Sequence, residues 1–137
     1  MIKSLIAVIV GQLSITLLQT FSRVVVGAYF RTELTITGIS HLPSLTWMYF
    51  LTALNFIFGM FGGLITSSLA RNKGRLEVLI LALLIFIWGL FSFQMTLNTE
   101  PVWYRILAPL LTIFGVMTGY LLKKNMDTNI KNNGHQI

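Results

Sequence analysis

The chain has 137 residues, of which 55% are hydrophobic and only 10% are charged. A soluble domain carries about 25% charged residues, so most of the surface of this chain is expected to face lipid. The sequence contains no cysteine, which excludes disulfides, thiolate metal sites and cysteine nucleophiles. The net charge of +6 does not indicate nucleic-acid binding, because most basic residues flank apolar segments, where they determine topology and contact anionic lipid.

Apolar segments long enough to cross a bilayer account for most of the chain. A spanning helix needs about 20 apolar residues. The segments cover residues 4–26, 45–69, 78–97 and 102–122. They predict an all-α membrane protein with four transmembrane helices in an antiparallel bundle, forming one domain over residues 1–124. The first segment is too long and too polar for a usual signal peptide, so we expect it to be retained as a helix.

The connections are short except for one. The basic link over 70–77 and the tight turn over 97–101 predict that consecutive helices are antiparallel neighbours. The 27–44 loop alternates polar and apolar residues and is expected to form a short extended piece or a partial helix at the membrane surface. The polar tail over 125–137 is expected to be disordered and cytoplasmic.

Lysine and arginine are concentrated on one predicted side of the membrane. That side holds Lys3, Arg71, Lys73, Arg75, Lys123, Lys124 and Lys131. Because an excess of these residues marks the cytoplasmic face, we expect both termini to be cytoplasmic in a bacterial-type inner membrane. Trp47, Tyr49, Trp103 and Tyr104 would then lie near the outer interface, whereas Trp88 is expected to pack between helices.

Polar residues recur on one face of the first helix. Gln12, Gln19 and Arg23 share that face and, together with Asn55 of the second helix, form a candidate polar intramembrane cluster. The cluster has two interpretations, which are interhelical packing and a polar path. Arg23 is expected to reach the outer interface, with Glu33 and Glu100 as possible counter-ions for it and for Arg105.

Small residues also recur at helical spacing and mark candidate helix-packing faces, because close approach of backbones drives helix association in lipid. The second helix carries Gly59, Gly63 and Ser67, and the fourth carries Gly115 and Gly119. The fourth helix also has Arg105, Ala108 and Thr112 on the same stripe. These faces are interpreted either as contacts within one chain or as association surfaces for a partner.

Catalytic chemistry is not indicated. The sequence holds two histidines, His41 and His135, and four acidic residues, without a metalloprotease, hydrolase or nucleotide-binding motif. We therefore expect no enzyme activity, no cofactor and no metal. In size the chain resembles small multidrug-resistance exporters and dual-topology fluoride channels. The exporters carry a glutamate in their first helix, which this chain lacks, and pieces of the fluoride-channel pattern fall here on one helix, so no residues are carried over.

The leading hypothesis is a non-enzymatic accessory or assembly component that acts through helix–helix contacts. The alternative is a subunit of a small oligomeric transporter or channel with a polar path along the first two helices. The expected partners are the lipid bilayer and either a second copy or another membrane protein. Nucleic acid is not an expected partner.

Overall fold

The computed structural model describes residues 2–30, 34–35, 38–39, 45–70, 74–95 and 101–134. Long helices form nearly all of this part of the chain. They are α1 (Ile2–Phe30), α2 (Leu45–Leu69), α3 (Arg75–Met95) and α4 (Val102–Gly134). Within the described residues, all four are long and apolar enough to span a membrane. The all-helical class and the prediction of four helices long and apolar enough to span a membrane are therefore confirmed.

Two helices extend beyond their predicted ends. α1 continues to Phe30, into the segment expected to be a loop. α4 continues to Gly134, so the prediction of a disordered tail is wrong for residues 125–134. No proline or glycine interrupts the sequence between Tyr120 and Gly134, and Lys123 forms an exposed ion pair of 2.8 Å with Asp127 one turn later. A polar helix of this kind can continue into water, and residues 135–137 lie outside the described residues.

A left-handed glycine begins α3. Gly74 has a φ of +64°, and its carbonyl accepts the first helical hydrogen bond from the Val78 N–H at 3.0 Å. A β-carbon at this position would lie 2.9 Å from Cα of Ser67, so the turn also has no space for a side chain. Glycine is required here by both its conformation and its contact.

The 27–44 loop contains a short antiparallel ribbon. β1 (Leu34–Thr35) pairs with β2 (Gly38–Ile39), in a register that places Leu34 opposite Ile39. This extended piece is one of the two forms expected for the loop, and the ribbon lies against α1.

α2 is the most buried helix. In its most apolar stretch 39% of the residues are buried, compared with 22% in each of the other three helices. Its buried face is made of small and polar residues apart from Leu51, and the others are Thr52, Asn55, Gly59, Gly62, Gly63, Thr66 and Ser67. The large apolar side chains of α2 mostly point outward. This reversal of the soluble pattern is what a helix packed among helices in lipid requires.

Clusters of buried apolar side chains fill the space around α2. One contains Val8 and Ile15 of α1, Val78, Leu81 and Ile85 of α3 and Val116 of α4. Another contains Val26, Leu51 and Tyr104, close to the first turns of α2 and α4. The two clusters come from different levels of the bundle, and Gln19 of α1 lies between the levels of Ile15 and Val26.

Candidate functional site

The predicted polar cluster is only partly assembled. Gln19 Nε2 donates a 2.8 Å hydrogen bond to Asn55 Oδ1, which joins α1 to α2. Arg23 lies beside this pair, and the three residues line a cavity of about 20 Å³ together with Ser22, Leu51 and Tyr104. This volume holds about one water molecule. Gln19, Arg23 and Asn55 therefore come together, but they enclose no path.

Gln12 does not join that group. It lies seven residues before Gln19, about 10 Å along the helix axis, and it lines a larger cavity that Gln19 also borders but Arg23 and Asn55 do not. Its Oε1 atom is buried without a hydrogen-bond partner. The prediction of one four-residue cluster is thus corrected. A shared helical face determines direction but not level, and the neighbouring helices differ from one level to the next.

The glycines of α2 and of α4 each lie against the backbone of the other helix. A β-carbon at Gly59 would overlap the carbonyl oxygen of Thr112, and one at Gly63 would overlap that of Val116. In the reverse direction, β-carbons at Gly115 and Gly119 would overlap the backbone of α2. These four candidate packing residues therefore form one intramolecular backbone contact.

Ser67 is the exception among the candidate packing residues. Its hydroxyl donates to the Leu64 carbonyl at 3.1 Å, and its Cα faces Gly74 in the turn before α3. It therefore packs against the turn rather than against α4.

A buried arginine forms the centre of a second polar region. Arg105 is the fourth residue of α4 and only 8% exposed. Its Nη1 donates to the Phe93 carbonyl of α3 at 3.3 Å, and its guanidinium lies 4.7 Å from the centre of the Phe93 ring. Its Nε is buried and has no hydrogen-bond partner. In the described part of the chain no carboxylate pairs with this guanidinium, and Glu33 and Glu100 lie outside that part.

Arg105 lines a cavity of about 120 Å³ between α1, α3 and α4. The polar side chains in its wall include Gln12, Gln19 and Thr112, and the aromatic ones include Trp88, Phe93 and Tyr104. No acidic residue is found among the described residues of the wall. Two of the residues that line this cavity, Arg105 and Gln12, thus each have a buried polar atom without a hydrogen-bond partner.

Trp88 differs from its predicted position. Its side chain is 58% exposed, and its ring lies 5.9 Å from that of Phe91 on the same helix. It borders the cavity instead of packing between helices. The sequence gives its position along the helix axis, near the middle of the segment. The packing of α3 against the other helices determines which side of α3 is exposed.

Glu77 is a buried acid that the sequence analysis missed. It is 5% exposed, and its Oε1 accepts a 2.7 Å hydrogen bond from the Ser4 hydroxyl of α1, while its Oε2 is buried without a partner. It is the third residue of α3, where the helix dipole stabilises a negative charge. The only feature of the sequence that could have indicated its burial is its place directly before an apolar segment.

Comparison with protein-family models, with curated proteins and with solved structures finds no match for this chain. Among the described residues, no group of three or more histidine, cysteine or acidic side chains could hold a metal ion. His41 and His135 lie outside the described residues. The residues that line the Arg105 cavity are therefore the ones that bear on function.

Proposed function

We propose that this chain is a non-enzymatic, multi-pass membrane protein that binds a small anionic group in the Arg105 cavity. The observation that carries the proposal is the buried Arg105 side chain, which lines a cavity and whose Nε has no hydrogen-bond partner. An ionisable residue inside a membrane-spanning segment is a functional-site hypothesis by default, because it is expensive to keep there.

The energetics favour an anion as the missing partner. A buried charge is strongly destabilising unless it is paired and hydrogen-bonded. One carbonyl and one aromatic face offset part of this penalty for Arg105, but neither carries a negative charge. A phosphate, sulfate or carboxylate group in the cavity would accept from Nε.

The proposed membrane arrangement is an antiparallel bundle in a bacterial-type cell membrane. The first turns of α1 and α3 meet through Ser4 and Glu77, while Tyr49 and Trp103 stack at 5.1 Å near the starts of α2 and α4. These contacts support alternating helix directions. Together with the predicted cytoplasmic position of Lys3 and Lys123, they support an Arg105 site in the outer half of the membrane.

The earlier hypotheses have less support. The glycine faces that suggested a partner contact each other within the chain. A path along α1 and α2 would pass the Gln19–Asn55 pair, whose side chains are bonded directly to each other. We therefore base the function on the cavity between α1, α3 and α4.

Anion binding is tested by the thermal stability of the purified protein in a maltoside detergent. Sodium phosphate, sulfate, acetate and chloride are compared at equal ionic strength. A ligand at 100 times its dissociation constant adds about 2.7 kcal/mol to the free energy of unfolding. We expect at least one anion to stabilise the protein, Arg105→Gln to remove the effect and the exposed Arg75→Gln to retain it. No anion effect, or an equal effect in Arg105→Gln, contradicts the proposal.

A further inference from the structure

An apolar cleft opens on the other side of Arg105. It lies between α3 and α4 and has a volume of about 130 Å³. Besides Arg105, its wall is apolar and includes Phe86, Leu90, Ile106 and Leu110. These four side chains are between 41% and 56% exposed, so the cleft opens on the outer surface of the bundle. In a membrane this surface faces the acyl chains of lipid.

The cleft and the polar cavity share part of their walls. Gly89, Phe93, Arg105 and Pro109 line both. A β-carbon at Gly89 would lie 2.9 Å from Cβ of Pro109, so α3 and α4 touch at this point. The side chain of Arg105 thus borders two spaces, a cavity whose wall includes Gln12, Gln19 and Thr112 and a cleft whose other wall residues are apolar.

We infer that the Arg105 site binds an anionic membrane lipid, with its phosphate at the guanidinium and an acyl chain in the α3–α4 cleft. This inference rests on the proposed anion-binding function and names the class of ligand. Charge complementarity selects the headgroup, since the described wall residues of both spaces include a cation but no acid. The apolar cleft beside the cation selects a ligand that carries a hydrocarbon chain.

The level of the site agrees with a lipid headgroup. Arg105 lies in the first turns of α4, two residues after Trp103, whose ring stacks on Tyr49 of α2. Tryptophan and tyrosine are enriched at the membrane–water interface, where lipid phosphates lie. Arginine is also the side chain best suited to phosphate, because its planar fork of donors matches the geometry of the anion.

The test compares two probes with the same headgroup, inorganic phosphate and decyl phosphate. Their binding is measured by native mass spectrometry of the full chain released from maltoside micelles. We expect decyl phosphate to bind tighter by about tenfold or more, because the buried hydrocarbon chain adds favourable transfer free energy. In the same assay phosphatidylglycerol should be retained in preference to phosphatidylcholine.

Matched variants separate the chain site from the anion site. Leu110 lines the cleft and is 41% exposed, whereas Leu107 lies on the same helix, is 43% exposed and lines neither space. Leu110→Trp should fill the cleft and lower the affinity for decyl phosphate by about tenfold or more, while the affinity for inorganic phosphate is unchanged. Leu107→Trp should change neither, and Arg105→Gln should remove both. Retained phosphate binding also shows that the Leu110→Trp variant is folded.

Three results would overturn the inference. Equal affinities for the two probes, or no effect of Leu110→Trp, would show that the site binds free anions only. The proposed anion-binding function would then stand without the lipid inference. Equal retention of both lipids by the wild type and Arg105→Gln would identify unspecific lipid at the protein surface. Binding of neither probe would remove the proposed function together with the lipid site.

Discussion

The two sides of α4 are packed in opposite ways. Toward α2, Gly115 and Gly119 lie against the backbone of α2, and Gly59 and Gly63 lie against the backbone of α4, so closely that no β-carbon fits between the helices. Toward α3, the backbones approach at Gly89 and Pro109, and a space remains on each side of Arg105. Close packing is the main source of helix association in lipid. We conclude that the α2 side contributes the closer packing, while the α3 side leaves the space in which we propose that a ligand binds.

The largest effect is expected at the α2–α4 contact. Gly63→Leu would place a side chain where the carbonyl of Val116 lies, and both backbones would have to move apart. We expect the free energy of unfolding to fall by about 3 kcal/mol or more, measured by unfolding the detergent-solubilised protein in SDS. Ala53→Leu, at an exposed position of the same helix, is the control and should change little. A stable Gly63→Leu monomer would mean that this contact does not hold the bundle together.

The second prediction concerns the opposite side of α4. Arg105→Met removes a buried charge, so without added anion we expect stability equal to that of the wild type or higher by up to about 2 kcal/mol. With saturating phosphate the order should reverse, because only the wild type gains binding free energy. The same SDS unfolding measurement, made with and without phosphate, checks this. A large loss of stability without anion would identify Arg105 as a structural residue.

A smaller effect is expected for the bond between α1 and α2. Asn55→Leu leaves the Gln19 amide without its partner, so the protein should lose about 1–2 kcal/mol. Gln19→Leu and the double variant complete a cycle, in which we expect a coupling free energy of about 0.6 kcal/mol. Anion binding should persist in Asn55→Leu, because Asn55 does not line the Arg105 cavity, whereas Gln19 does. Its loss in Asn55→Leu would join this pair to the Arg105 site and weaken the distinction between the two regions.

The smallest effect is expected in the exposed end of α4. Lys123→Ala removes the ion pair with Asp127 and should cost about 0.3–0.5 kcal/mol of local helix stability. Hydrogen exchange of the backbone amides over 125–134 is the appropriate measurement, and Lys124→Ala is the control. If these amides exchange in the wild type as fast as those of an unfolded peptide, the prediction of a disordered tail is correct after all.

The general plan of the bundle was readable from the chain because it depends on local physics. Helix length and hydropathy identify the segments that could span a membrane. The small residues of α2 and α4 identify the faces that pack against another helix. The candidate site was less predictable. Gln12 and Gln19 share a helical face but lie at levels with different neighbours. From the sequence, Arg105 is only an arginine near a helix end, and nothing in the pattern indicates that it is buried beside a cavity.

The amino-acid sequence by itself determined that four helices could cross a membrane and that Gly59, Gly63, Gly115 and Gly119 lie in contacts, since both follow from side-chain size and spacing. Only the tertiary structure decided that these glycines lie between α2 and α4, and that Arg105 borders both a cavity and an apolar cleft. The reason is physical. A helical pattern fixes which side chains share a face, whereas the space opposite that face is set by residues far away in the chain.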